Sequence, residues 1–164
     1  MNSLAKNQGG TTRDEGRSHC LLIRAESLQL IVPRILVAEV IDLEGMEFVA
    51  SLNPGIRIFF WRGYQVPLIS STVFGQAGQV DSAGHSKIII LHGVFNHDRL
   101  PFYAFIASAN PRLVVVSRAS IEEQAQQYQG RGADVLMPVL VDGKEAAIPK
   151  VDPVEQYIYS SLFQ

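Results

Sequence analysis

Short apolar runs separated by turn residues recur along this chain, and they constrain its fold more than any other feature. Most runs are roughly four to eight residues long, the usual length of β-strands, and Gly, Pro, Asn and Asp stand between them. They do not alternate with long helical patterns, which argues against an α/β sheet. The runs lie at 20–25, 28–32, 35–41, 87–94, 101–108, 113–117, 135–141 and 146–148. Asp142-Gly143 predicts a hairpin between the last two runs. The pattern therefore predicts an all-β fold of the barrel kind.

Residues 58–69 predict a hairpin with an unusual corner. Two apolar runs rich in aromatic and β-branched residues flank Arg62 and Gly63, and the only tryptophan, Trp61, precedes the arginine. A guanidinium at this place can stack on the indole ring and form a bidentate pair with a carboxylate. The residues alone leave a second interpretation open, in which Arg62 is simply a solvated turn arginine.

Composition limits the classes of protein that the chain can belong to. With 164 residues, 47% hydrophobic and 18% charged, the sequence predicts one soluble folded domain. A net charge of −2 gives no basic field for nucleic acid, and no apolar run reaches the ~20 residues that cross a bilayer. Cys20 is the only cysteine, so an internal disulfide is excluded and a reducing compartment fits. Residues 1–18 are expected to form a flexible N-terminal tail, and residues 19–164 the folded domain.

Local signals predict two helices and one mobile loop. Ser120 and Glu123 form a capping box that predicts a helix through residues 124–129, ending at Gly130. Asp152-Pro153 predicts the start of a C-terminal helix that packs Val154, Ile158 and Leu162 on one side. Residues 76–86 contain two glycines and several small polar residues, which predicts a mobile loop.

The sequence contains no catalytic constellation. The four histidines show no helix-spaced pair, no cysteine cluster accompanies them, and His97-Asp98 is more typical of a turn than of a metal site. No nucleophile elbow or phosphate-binding loop is present, and Cys20 is expected to be an inert core thiol. We therefore expect a protein that is not an enzyme and needs no cofactor or metal.

The hairpin segment resembles the signature of CheW-like domains, the adaptors that couple chemoreceptors to histidine kinases. That signature is roughly Asn-Leu-Arg-Gly, two or three residues, Pro, two aliphatic residues and Asp-Leu. Arg62-Gly63 and Pro67-Leu68-Ile69 match it in register. Phe60-Trp61 replaces Asn-Leu, Ser70-Ser71 replaces Asp-Leu, and Arg57 stands where a glycine is usual. With these departures the chain is similar to the PilI and ChpC type of coupling protein, from the chemosensory systems of type IV pili and twitching motility.

The resemblance covers about residues 20–163 and implies both a fold and partners. The implied fold is two packed, five-stranded SH3-like barrels with a shared apolar interior and short helices, one of them C-terminal. The implied protein is a cytoplasmic, non-catalytic adaptor. Its expected partners are the regulatory domain of a CheA-type histidine kinase and the cytoplasmic tip of a methyl-accepting chemoreceptor. No binding of nucleic acid and no direct membrane insertion are expected.

The resemblance also implies a partner-binding surface. In CheW-like domains a glutamate in a Val-x-Glu segment commonly faces the arginine of the hairpin, and Glu39 occupies that position here. We hypothesise that Glu39 pairs with Arg62, beside Gly63, on the surface that meets a partner. Two independent surface charges are the alternative. Apolar surface next to the pair would come from at most half of a set of five residues, because alternation sends the others inward. The set is Val37, Val40, Phe60, Trp61 and Val66.

Two other functions stay open at the level of sequence. A small β-barrel could sense a nucleotide second messenger, but Arg57 and Arg62 are one residue too far apart for the arginine pair of the PilZ motif. Residues 81–84 also have the wrong order for the second half of that motif. The third possibility is an orphan scaffold that has lost its coupling to a kinase.

Overall fold

The computed structural model describes residues 16–53, 55–75, 86–124 and 131–163, and twelve strands dominate these ranges. Two short 3-10 helices lie at Arg34–Leu36 and Ser71–Phe74, and two α-helices at Arg131–Val135 (α1) and Val151–Phe163 (α2). The strands are β1 Arg17–Ala25, β2 Leu28–Pro33, β3 Val37–Asp42, β4 Phe48–Asn53, β5 Ile56–Trp61, β6 Tyr64–Ile69, β7 Lys87–His92, β8 Phe102–Ala107, β9 Arg112–Ser117, β10 Ile121–Glu123, β11 Leu136–Val141 and β12 Lys144–Pro149.

The strands form two six-stranded sheets, which confirms the predicted all-β fold. The first sheet has the order β10-β11-β12-β2-β1-β9, and the second has the order β3-β7-β8-β6-β5-β4. The resemblance implied five strands in each unit, so each sheet has one strand more than expected. In the second sheet the strand that the sequence did not predict is β4, whose pairing with β5 is interrupted by two register shifts. Such irregular pairing leaves no clean alternation of apolar and polar residues in the sequence.

The core consists of three apolar layers, one between the two sheets and one on the other face of each sheet. Both faces of each sheet therefore carry apolar residues. One layer, which includes Cys20 and Val116, lies on the first sheet, and another, which includes Phe59 and Val66, lies on the second. The largest layer contains residues of both sheets, such as Leu30 and Ile89, and joins them to α2. Strands that are buried on both faces are apolar throughout, which explains the continuous run of isoleucines in β7.

Local turn chemistry correctly predicted the hairpins. In the β11–β12 turn, Asp142 and Gly143 have φ angles of 49° and 78°, and Val141 pairs with Lys144. Two consecutive positive φ angles define the tight turn whose twist matches that of the flanking strands. The hairpin predicted at Gly63 is confirmed in the same way, with Trp61 paired to Tyr64.

The predicted C-terminal helix is confirmed as α2, but it begins earlier in the sequence than predicted. It begins at Val151, and the N–H of Val154 donates to the carbonyl oxygen of Lys150 at 3.0 Å, so the first turn starts before Asp152. Val154 and Ile158 are fully buried, as expected for the inward face.

The helix predicted from the capping box at Ser120 is wrong where the structure describes it. Residues Ile121–Glu123 form β10, which pairs with β11. The Ser120 hydroxyl accepts the N–H of Ser117 at 2.8 Å, so it closes a turn instead of capping a helix. Residues 125–130 of the predicted helix lie outside the described residues. The sequence also did not predict α1.

Two further expectations concern segments at the edge of the described ranges. Residues 1–15 of the predicted tail and 76–85 of the predicted loop lie outside them. The tail boundary at residue 18 was too late, because Arg17 and Ser18 belong to β1 and pair with Ser117 and Val116. Backbone pairing at a strand end does not need apolar side chains, so the polar sequence gave no signal of it.

Candidate functional site

The corner between β5 and β6 holds Arg62 in an exposed and conformationally costly position. Arg62 and Gly63 have φ angles of 48° and 81°, so both central residues of the turn are left-handed. That conformation suits glycine and is unfavourable for arginine. The Arg62 side chain is 69% exposed. The turn therefore presents a guanidinium at the surface at the expense of local strain.

A bulge in β3 brings Glu39 to this corner. The register between β3 and β7 shifts between Val37 and Glu39. One carboxylate oxygen, Oε1, lies 3.4 Å from Nη2 of Arg62, and the other, Oε2, accepts the indole N–H of Trp61 at 2.5 Å. The Arg62 guanidinium also lies 5.1 Å from the centre of the Trp61 ring. Glu39 thus holds two donors at once, and the ion pair that the sequence predicted is present.

An aromatic cluster supports the corner from below. Phe102 lies edge-on to Trp61 and to Tyr64, with ring centroids 4.9 Å apart in each pair. His92 lies 5.3 Å from the same ring. Sequence reasoning missed this support because Phe102 and His92 belong to β8 and β7, and only the sheet order places them beside β5 and β6. The cluster fixes the indole ring and thereby the direction of its N–H.

The apolar residues predicted for this surface divide into three groups. Val40 is exposed on β3, and Val37 is half-buried against the shared core layer. Phe60 is 55% exposed, but it points away from Trp61 because neighbouring strand residues face opposite sides. Val66 is fully buried in the layer of the second sheet, so its prediction as a contact residue is wrong. Phe59 and Leu68 of the same hairpin are also buried in that layer.

An apolar groove lies beside the start of β3. It has a volume of about 620 Å³ and is bounded by the first residues of β1, the β2–β3 connection and β9. Ile35 and Leu113 line it and are 85% and 58% exposed, and His19 and Arg34 add polar edges. We call this the β3 groove. Sequence reasoning missed Ile35 and Leu113 because both stand in apolar runs that looked like core strands.

A second depression lies under Phe60. It has a volume of about 510 Å³, and we call it the Phe60 cleft. Its floor is formed by β4, β5 and β6, on the face that borders the shared core layer, and it includes Val49. Its opposite side is formed by residues 99–101 and the end of α2. The cleft therefore has a flat, apolar sheet face on one side and a loop on the other.

Neither a metal site nor a reactive thiol is found among the described residues. Among them, no three His, Cys, Asp or Glu side chains are grouped so that they could hold a metal ion. Cys20 is buried, and burial raises the pKa of its thiol, which disfavours the reactive thiolate.

Arg57, the other arginine of the second-messenger hypothesis, lies over the Phe48 ring at 4.0 Å, while Arg62 lies beside Trp61. Within the described ranges, no helix is long and apolar enough to cross a membrane.

The two β-sheets, their shared apolar layer and the C-terminal helix together form a CheW-like β fold. Among solved structures, the chain is similar to the crystal structure of the scaffolding protein TtCheW from Thermoanaerobacter tengcongensis. The TM-score is 0.65, over 82% of this chain and 84% of that chain, at 19% sequence identity. At that identity the likeness shows the fold alone. No protein-family model and no curated protein matches the sequence.

Proposed function

We propose that this protein is a non-catalytic adaptor that couples a methyl-accepting chemoreceptor to a CheA-type histidine kinase in the cytoplasm. The main support is the exposed Glu39–Arg62 corner, on a fold similar to that of a scaffolding protein, and an apolar groove near the start of β3 adds to it. The hairpin sequence further supports a place in a type IV pilus chemosensory system.

The β3 groove and the corner form the proposed receptor surface. A helical hairpin tip presents apolar side chains along one face, and such a face is recognised by a groove with apolar anchors and polar edges. Ile35 and Leu113 supply the anchors of the groove, and Arg34 supplies a charge at its edge. The Glu39–Arg62 pair supplies further charges at the corner. Charges at an edge act mainly on specificity and association rate.

The Phe60 cleft is the proposed surface for the regulatory domain of the kinase. That domain is expected to be a β-barrel unit, and a flat sheet face with exposed aliphatic residues can pack against another sheet. Val49 and Leu52 on β4 stand beside Phe60 and are exposed to a similar degree. Each contact is expected to be small and weak alone, so that coupling depends on many of them in an array.

Separate binding measurements with the two partners test the proposal. The full-length protein is titrated calorimetrically with the kinase regulatory domain and with a soluble receptor-tip fragment, both from the same genome. Leu113→Asp is expected to weaken receptor binding at least about tenfold, close to 1.4 kcal/mol, and to leave kinase binding unchanged. Phe60→Asp is expected to do the reverse. Each substitution serves as the control for the other, because Leu113 and Phe60 are 58% and 55% exposed and neither belongs to the core.

The proposal fails if the wild-type protein does not bind the kinase domain, or does not bind the receptor fragment. The assignment of surfaces fails if both substitutions weaken the same interaction.

A further inference from the structure

Glu155 on α2 is the only charged side chain that is fully buried among the described residues. Its carboxylate accepts three consecutive backbone N–H groups of another element, those of Val94, Phe95 and Asn96, at 2.7, 2.8 and 3.3 Å. A buried carboxylate is tolerated only when such donors satisfy it. Burial raises the pKa of the Tyr103 phenol, and the charge of Glu155 raises it further. Glu155 thus ties the C-terminal helix to the loop between β7 and β8.

The loop of residues 93–101 is also closed at its base. The N–H of Gly93 donates to the carbonyl oxygen of Pro101 at 2.8 Å, and the N–H of Leu100 donates to that of Asn96 at 2.7 Å. A Cβ on Gly93 would lie 1.8 Å from the carbonyl oxygen of Leu100, so only glycine fits this approach. The base of the loop is therefore closed by its own backbone hydrogen bonds, whereas its outer part, residues 94–96, is held by Glu155.

This loop forms one side of the Phe60 cleft. Arg99, Leu100 and Pro101 face the cleft opposite Phe60. Arg99 donates to the hydroxyl of Tyr159 at 3.2 Å, and its guanidinium lies 5.8 Å from the Phe163 ring, so this side of the cleft depends on α2. If the outer part of the loop were released, the shape of the cleft would change with it.

Stability alone does not explain a carboxylate at this position. Burial of a charge carries a desolvation cost, and well-packed apolar residues commonly stabilise a core as well or better. What a carboxylate adds is a defined conformation of the three N–H groups that it binds. A surface that is already ordered binds its partner more tightly, since less entropy is lost on association.

We propose that Glu155 is a positioning residue, whose carboxylate fixes the loop of residues 93–101 so that the Phe60 cleft is preformed for the regulatory domain of the kinase. The inference rests on the proposed function for its partner. Glu155 is buried and does not contact the partner itself.

The test compares Glu155→Gln with Ile158→Val in the full-length protein. Glutamine retains the length of the side chain but turns an N–H₂ group toward donors, whereas Ile158→Val removes one buried methyl group from the same helix and leaves the loop contacts intact. Hydrogen exchange is measured for the amides of Val94, Phe95 and Asn96. Calorimetry is then used with the kinase domain and with the receptor fragment.

In Glu155→Gln the three amides are expected to exchange at least about tenfold faster, and affinity for the kinase domain is expected to fall about tenfold. Affinity for the receptor fragment is expected to stay within about twofold. Ile158→Val is expected to lower the melting temperature without either effect. If Glu155→Gln does not fold, Glu155→Asp, which retains the charge and shortens its reach, takes its place.

Unchanged exchange in the loop overturns the role of the carboxylate. Faster exchange with unchanged kinase affinity overturns its role in docking, and equal losses for both partners indicate a purely structural role. If the wild-type protein does not bind the kinase domain, the proposed function and the docking role both fail. The exchange experiment still decides in that case whether Glu155 holds the loop.

Discussion

The backbone strain at Arg62 is comparable with the free energy that its contacts with Glu39 and Trp61 contribute. A non-glycine residue in the left-handed conformation is disfavoured by roughly 1–2 kcal/mol, and its φ of 48° places Arg62 there. Its ion pair with Glu39 is largely exposed, and such pairs contribute roughly 0–1 kcal/mol. Asparagine or glycine would suit this turn better. Strain that the fold does not need is a common feature of functional positions.

This comparison predicts that Arg62→Asn separates stability from binding. Asparagine accepts the left-handed conformation, so the free energy of unfolding is expected to stay constant or to rise by up to about 1 kcal/mol. Receptor-tip binding is expected to weaken because the guanidinium is lost. Urea denaturation and calorimetry measure the two effects. Arg118→Asn, in another exposed turn, is the control that should change neither, and unaltered binding by Arg62→Asn would contradict the prediction.

Sequence reasoning identified the partner of Arg62 but not the geometry of the corner. The pairing with Glu39 followed from a family pattern, and the two side chains are in contact. The indole bond to the same carboxylate depends on the ring of Phe102, which a distant strand supplies. Val66 was misplaced for a related reason. Alternation along a hairpin defines two faces, but only the rest of the sheet decides which face is buried.

At the scale of elements, the predictions succeeded where the determining contacts are local. Both hairpins are encoded by two-residue turns, and the C-terminal helix is encoded by its apolar side. The helix at Ser120 failed because its capping signal competes with pairing to β11, a contact that lies further along the chain. Strand β4 was missed because its bulges break the alternation that marks a half-buried strand.

Two glycines of the second sheet are expected to differ in their sensitivity to alanine. At Gly63, with φ of 81°, a Cβ would meet no atom within 4 Å, so Gly63→Ala costs only the conformational term of about 1 kcal/mol. At Gly93 the added Cβ meets backbone at 1.8 Å, so the loop must move and the loss is expected to be larger. Urea denaturation of both variants measures the difference. An equal or greater loss at Gly63 would show that the close approach at Gly93 is easily relieved.

At the scale of the whole molecule, the shared core layer makes the two sheets depend on each other. Ile23 and Leu30 of the first sheet and Ile89 and Phe105 of the second are buried in one cluster with Ile158 of α2. If either sheet unfolded alone, the other would expose one complete apolar face to water. The free energy of burying apolar surface opposes such an intermediate, because it scales with the area removed from water.

The fluorescence of the single tryptophan can test this coupling, because Trp61 belongs to the second sheet. Leu30→Ala, a substitution in the first sheet, removes a fully buried side chain and is expected to destabilise by about 2–5 kcal/mol. If the sheets unfold together, the urea midpoint from Trp61 fluorescence shifts as far as the midpoint from far-ultraviolet circular dichroism. Leu113→Ala, at an exposed leucine of the same sheet, should leave both midpoints in place. A dichroism transition that shifts or splits while the Trp61 transition stays fixed would mean that the second sheet is stable alone, and that the shared layer does not unite the fold.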